Sequence, residues 1–263
     1  MHANGEGNAF GLNLDLTTPD TARMMDYWLG GNHHFEVDRE MARKIEKMTP
    51  IAPHWAKIQR QFLARALRFL WEEVGLIDFI VAGAGLPTCG NAHEVLPEAN
   101  VLYMDINPVT VAYGRNILGD SPKARYIQHD ARLIHELRSE DIDPLFKGNR
   151  TLAIIYIGFS YFLPDEVLKE ALRRCHDWVA PGSHLALTSL GEDSLKYAAP
   201  SVEAYHRMGF PLFPRSIAAT EAVLPPWRLT EHGVAAASHW GLKDVTEPVP
   251  PIYFYGCVAE KTA

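Results

Sequence analysis

The chain has 263 residues, 47% hydrophobic and 22% charged, with a formal net charge of −7, which is length enough for one large domain or a domain with an appended subdomain. No apolar run is long enough to cross a bilayer, and the Gly- and Asn-rich start, Met1 to Asn13, lacks the basic and apolar regions of a secretory signal, so a cytoplasmic protein with no membrane partner is expected. The acidic balance argues against nucleic acid and for a small-molecule or protein substrate, and three cysteines without CxxC spacing argue against a disulfide framework or a zinc knuckle.

Thr18-Pro19-Asp20-Thr21 predicts a helix with a hydroxyl N-cap and a proline in its first turn, carrying Met25, Trp28 and Leu29 and stopping at Gly30-Gly31. A second helix is expected from Val37 to Met48, broken by Pro50 and Pro53. A third runs from His54 to Val74, with Trp55, Ile58, Phe62, Ala66, Phe69 and Leu70 on one stripe and Gly75 as its stop. These helices, with the tail before them, form an N-terminal cap over residues 1–76 ahead of an α/β domain at 77–263, the two making one structural unit.

From Ile77 the pattern alternates short strands, at Ile77–Ala82, Val101–Asp105, Ala124–Gln128, Leu152–Ile157 and Leu185–Ser189, with helices at Pro108–Leu118, Ala131–Ser139 and Pro164–Val179. Such alternation predicts a doubly wound, mostly parallel sheet covered on both faces. Trp227–Glu231 and Ile252–Val258 are strand-like with no long helix between them and are expected to close the sheet as an antiparallel pair.

The first strand ends in Gly83-Ala84-Gly85, where two residues without side chains allow a sharp bend and leave backbone N–H groups open to a ligand. The third glycine of a dinucleotide fingerprint is replaced by Thr88, which places a nicotinamide oxidoreductase last among the readings. Asp105 ends the second strand about 20 residues past the turn, where a carboxylate receives ribose hydroxyls. Asp130 ends the third strand in the same way, and either accepts from an adenine amino group or caps the following helix. In the N-terminal block Arg23 to Phe35, Tyr27 and Asn32 are candidates for polar contacts over the cleft. His33, His34 and Asp38 are poorly spaced for a metal, Ser160 lies outside a GxSxG elbow, and Cys89 near His93 lacks an orienting partner.

Two linked blocks resemble a family of bacterial S-adenosylmethionine-dependent methyltransferases long catalogued as a domain of unknown function. The first is Ala22-Arg23-Met24-Met25-Asp26-Tyr27-Trp28-Leu29-Gly30-Gly31 with Phe35 and Asp38-Arg39. The second is Gly83-Ala84-Gly85-Leu86-Pro87-Thr88 with Gly90-Asn91, His93-Glu94-Val95, Tyr103, Asp105 and Pro108. The resemblance implies a class I methyltransferase (Rossmann-like) fold and S-adenosylmethionine as cofactor. It places Gly83, Ala84 and Gly85 beside the methionine part, Asp105 on the ribose and Asp130 near the adenine, with Ile106, Ala131, Thr88, Tyr27 and Arg23 completing the binding set. The family usually has an acidic residue where this chain has Val81, another where it has Asn107, and a histidine where it has Tyr161. The expected reaction is methyl transfer to a small-molecule acceptor, with His34, His93 and Tyr161 candidate bases by type only; the alternative is a non-catalytic protein that binds the cofactor.

Overall fold

Asp20 rather than Thr18 starts the first helix, because its carboxylate reaches the free N–H groups of Ala22 and Arg23 at 2.9 and 3.1 Å. The computed structural model describes residues 16–242 and 254–262. Three helices come first: α1 (Thr21–Trp28), α2 (Glu36–Met48) and α3 (Ala52–Arg68). Pro53, expected as a breaker, lies in the first turn of α3, where its missing N–H has no intrahelical partner to lose. The last turn of α3 widens into a π-helical segment at Phe69–Glu73, and Gly75, at φ +83°, ends it.

The remaining elements are β1 (Asp78–Ala82), α4 (Ala92–Val95), β2 (Asn100–Asp105), α5 (Pro108–Leu118), β3 (Ala124–Gln128), α6 (Ser139–Phe146), β4 (Ala153–Tyr156), α7 (Asp165–Trp178), β5 (His184–Leu190), α8 (Leu195–Arg207), α9 (Ile217–Ala222), β6 (Arg228–Leu229), β7 (Ala235–Ala236) and β8 (Phe254–Glu260). The sheet order is β3-β2-β1-β4-β5-β8-β6, with β7 also on β8. Strands β1 to β5 are parallel, and β8 runs antiparallel to β5, β6 and β7. The expected doubly wound sheet and its antiparallel closure are therefore present. Residues 252 and 253 of the expected last strand lie outside the described residues, as does the tail from Met1 to Asn13.

Alternation along the strands sorts the core into two layers. Phe79, Val81, Val101, Tyr103 and Ile155 face the side covered by α1, α2 and α3, and Ile80, Leu102, Met104, Ile154 and Tyr156 face the side covered by α6 and α7. Both faces are dry, as a parallel sheet requires. Gly256 of β8 lies so close to α3 that a Cβ there would stand 2.5 Å from the Phe62 ring.

Two further expectations change. The single helix at Ala131–Ser139 is a 3-10 turn, Ala131–Glu136, followed by extended Leu137 and Arg138 and then α6, because Leu133 departs from helical angles at φ −118° and ψ 29°. Between β5 and β6 the chain also forms α8 and α9, which sequence patterning did not find; Pro200 inside α8 disguises it.

Candidate cofactor and active site

The strand order reverses between β1 and β4, and the carboxyl ends of the strands there open into a cleft of about 340 Å³, the place where open α/β sheets receive ligands. Gly83, Ala84, Gly85, Asp105, Ile106, Asp130 and Ala131 line it, as the sequence led one to expect. The turn is held in the left-handed region, with Gly83 at φ +58° and Gly85 at φ +60°. A Cβ on Gly83 would stand 2.7 Å from the Phe159 ring, and one on Gly85 would stand 3.1 Å from Ala22 Cβ. Only glycine fits both the angle and the space.

The turn's amides are not open in the expected way. Ala84 N–H donates to Met104 O at 2.9 Å and Gly85 N–H to Asp105 Oδ2 at 3.0 Å. Asp105 thus braces the turn with one oxygen while its other accepts Asn107 N–H at 2.9 Å. Each oxygen keeps a further lone pair for a hydroxyl donor. Burial pushes the Asp105 pKa up, and the N–H groups of Asn107, Gly85 and Ile106 oppose that shift. Asp130 caps the 3-10 turn through Arg132 N–H at 2.9 Å and pairs with the Arg132 guanidinium. Its pKa is lowered because the hydrogen bonds and charge of Arg132 outweigh desolvation, the largest single influence. The capping role holds, and Asp130 lines the cleft as well.

Three expected binding residues do not line the cleft. Arg23 is buried and donates to Asp38 Oδ2 at 2.7 Å and Thr18 O at 2.6 Å. Thr88 is buried and donates to Asp26 Oδ1 at 2.7 Å. Tyr27 packs edge-on to His34, ring centroids 5.2 Å apart, with Arg43 on its side chain. Asn32 is exposed and away from the cleft. The N-terminal block is instead tied by two buried aspartates. Asp38 accepts from Asp20 N, Arg23 Nε and Phe35 N, and Asp26 from His33 N, His34 and Thr88. Among the described residues no group of three metal-ligand side chains converges.

Of the candidate bases, His93 bonds to the Tyr103 hydroxyl at 2.8 Å and His34 to Asp26 at 3.0 Å, neither lining the cleft. Tyr161 does line it. A directional chain reaches it: Gly158 N–H donates to Thr188 Oγ1, Thr188 to Gln59 Oε1, and Gln59 Nε2 to Tyr161 OH, at 3.0, 3.0 and 3.1 Å. Burial raises the Tyr161 pKa, so the phenol stays protonated. Ser160 is buried and bonded to Thr188 O.

Apart from Tyr161, sequence reasoning missed the other wall. Beyond β4 the cleft is lined by Phe159, Tyr161, Phe162, Tyr205 and Phe210, with Trp28 from α1. Phe162 lies 5.0 Å from Tyr161, 6.4 Å from Tyr205 and 6.3 Å from Phe210, ring centroid to ring centroid. Arg60 and Asp26 were missed as well. Arg60 sits on the polar flank of α3, and helical periodicity alone reads such a flank as solvated.

A profile of the S-adenosyl methyltransferase family matches residues 8–262. Among solved structures, a Thermobifida fusca protein provisionally named a methyltransferase superposes with a TM-score of 0.83 at 29% identity, over 95% of this chain and 97% of its own. A DUF574 family protein of Streptomyces avermitilis gives 0.80 at 25% identity, over 94% and 99%. Magnesium protoporphyrin IX methyltransferase of Synechocystis, crystallised with bound SAH, shares the fold at 0.56 and 11% identity, over 91% and 93%. No curated protein matches the sequence significantly.

Proposed function

The chain belongs to the S-adenosyl methyltransferase family, whose profile spans residues 8–262, and from that premise we propose that it methylates a small, largely apolar acceptor held at the aromatic end of its cleft. S-adenosylmethionine is the cofactor of the family. The observation that carries the acceptor reading is the division of the cleft. Asp105, Ile106, Asp130 and Ala131 line it beyond β2 and β3, and Tyr161, Phe162, Tyr205 and Phe210 line it on the far side of the glycine turn.

The residues present fit the cofactor. Gly83 and Gly85 let the backbone approach a ligand where a Cβ would collide, and Asp105 keeps lone pairs for two ribose hydroxyls. Asp130 lines the cleft with both oxygens engaged by Arg132, and an adenine amino group would share them, with Ile106, exposed at the lip, and Ala131 beside the ring. When bound, S-adenosylmethionine supplies a methyl group on a sulfonium, with a neutral thioether as its leaving group. In-line displacement then asks of the protein alignment and exclusion of water more than a nucleophile of its own. The aromatic wall excludes water, and the Tyr161 hydroxyl, accepting from Gln59, has its own proton to offer to a heteroatom of the acceptor. Among the described residues lining the cleft there is no histidine, which favours an acceptor atom that already bears a free lone pair, as in an amine or an ionised thiol.

Calorimetry with S-adenosylhomocysteine is the test. Saturable binding is expected, and Asp105→Ala should weaken it by about 1–3 kcal/mol, the cost of losing charged hydrogen bonds. No binding at millimolar ligand would overturn the reading. The acceptor follows from a panel of aromatic amines, thiols and phenols scored for methylation.

One observation favours a second reading. Val81, where the family usually has an acid, is buried in the apolar layer against the N-terminal helices and makes no contact with the cleft. Tight cofactor binding with no methylation across the panel would assign the chain to cofactor binding without turnover.

A further inference from the structure

The polar lining of the cleft is unbalanced. Four carboxylates, Asp20, Asp26, Asp105 and Asp130, face a single guanidinium, Arg60. The three other arginines near the site are engaged elsewhere: Arg23 with Asp38, Arg132 with Asp130 and Arg215 with Asp165. Arg60 makes no hydrogen bond or ion pair with the described residues. It stands on α3, which packs against α1 and α4. The titratable groups whose charge reaches it are Tyr103, Cys89, Glu94 and Asp26. Three of them are occupied: Tyr103 by His93, Glu94 by the N–H of Gly90, and Asp26 by Thr88, His33 and His34. Burial lowers the Arg60 pKa against the opposing charge of Tyr103, Cys89, Glu94 and Asp26, and no hydrogen-bonded protein partner makes up the difference.

A partly buried cation that lines a cleft and has no hydrogen-bonded partner is a site for an anion. The glycine turn does not compete for that anion with Ala84 or Gly85, whose N–H groups are spent on Met104 O and Asp105. We infer that Arg60 is the carboxylate anchor of the cleft, binding the carboxylate at the amino-acid end of the cofactor through its planar fork. The inference rests on the cofactor reading above. It makes α3, an element that precedes the sheet, part of cofactor recognition. It also gives a reason for the tolerance of valine at position 81: the amino-acid end is gripped by its carboxylate from α3, in place of a grip on its ammonium from β1. The alternative source of the anion is a carboxylate on the methyl acceptor.

Three probes separate these cases in calorimetry on the full chain: S-adenosylhomocysteine, its decarboxylated analogue S-adenosyl-3-thiopropylamine, and 5′-methylthioadenosine, which lacks the whole amino-acid end. The native protein should bind S-adenosylhomocysteine on the order of 10- to 100-fold more tightly than the decarboxylated analogue, the range for a charged hydrogen-bonded pair. Arg60→Gln should erase that preference while leaving the affinity for the decarboxylated analogue and for methylthioadenosine unchanged, which also shows that the variant is folded. Arg60→Lys should keep part of the preference, since a point charge replaces the fork. A native protein indifferent to the carboxylate, or an Arg60→Gln variant that keeps the full preference, overturns the assignment. Binding of none of the three probes would overturn the cofactor reading itself.

Discussion

Asp20 and Asn107 are each the N-cap of a helix, and they hydrogen-bond to one another. Asp20 Oδ1 accepts from the first turn of α1 while Oδ2 accepts Asn107 Nδ2 at 2.8 Å, and Asn107 Oδ1 caps α5 through Val109 N–H at 2.9 Å. The pair ties α1 to α5 at the wall of the cleft. It also accounts for the amide at position 107, because an acid there would face the Asp20 carboxylate at hydrogen-bond distance. Asn107→Asp is therefore expected to lower stability at neutral pH by about 1–3 kcal/mol and to recover part of it on acidification, when the two carboxylates share a proton. Thermal melts at about pH 7 and about pH 5 read this; a melting point unmoved at neutral pH counts against the latch.

Gly83→Ala should combine two costs, a left-handed φ and a methyl driven into the Phe159 ring. The expected loss is about 2–4 kcal/mol, with cofactor affinity falling as Phe159 is displaced within the cleft lining. A denaturant titration and a binding isotherm on the same sample test both parts.

The pH dependence of cofactor binding should carry the signature of Asp105. Its folded pKa is raised above the ordinary aspartate value by burial, so the native state holds this proton more tightly than the unfolded chain does. The group's own contribution to apoprotein stability is then fullest below the ordinary value and is lost as pH rises through the raised one. On the proposed role, ribose binding runs the other way: it would need the carboxylate and be lost as pH falls through the raised pKa. Affinity for S-adenosylhomocysteine between about pH 4 and about pH 7 should begin its acid decline higher than an ordinary aspartate would give, and Asp105→Asn should flatten that limb.

Thr88→Val separates a structural role from a binding one. The swap removes the bond to Asp26 Oδ1 and should cost about 1–2 kcal/mol of stability while cofactor affinity stays within about twofold. Tenfold weaker binding with an unchanged melting point would return Thr88 to the cofactor site.

The thiols should divide by burial. Cys175 and Cys257 are buried, and desolvation pushes both up to about 12, whereas Cys89 is partly exposed, with its pKa raised as well. Alkylation of native protein near neutral pH should modify Cys89 alone, slowly, and all three should react after unfolding. Rapid labelling of Cys175 or Cys257 would show a core that opens.

Seven of the eight strands were legible as short runs bounded by polar or glycine residues, with ends that differ from expectation by a residue or two; β7, two alanines long, carried no such signal. That Gly83, Ala84, Gly85, Asp105, Ile106, Asp130 and Ala131 line the cleft was legible for the same reason, since in this architecture position along the strand dictates position in the cleft. Arg23 and Thr88 lie off the cleft lining because they are turned to partners, Asp38 and Asp26, that are 15 and 62 residues away, and nothing local shows that a polar side chain is already spoken for. The openness of the turn's amides was misjudged likewise: Asp105 was expected to face a ribose, and its brace to Gly85 was not foreseen. Arg60 and the aromatic wall come from one flank of α3, the 3-10 turn after β4, and α8 with the chain beyond it, segments that only tertiary packing brings together.

With Asp130 paired to Arg132, the cleft sets Asp20, Asp26 and Asp105 against Arg60, and that imbalance bears on the proposed turnover as much as on binding. Walls carrying a net negative potential hold a cationic sulfonium more firmly than the uncharged thioether that remains once its methyl has gone. On the proposed reaction the electrostatic grip would slacken as the methyl leaves, and S-adenosylhomocysteine is expected to bind more weakly than S-adenosylmethionine. Added salt should narrow that difference.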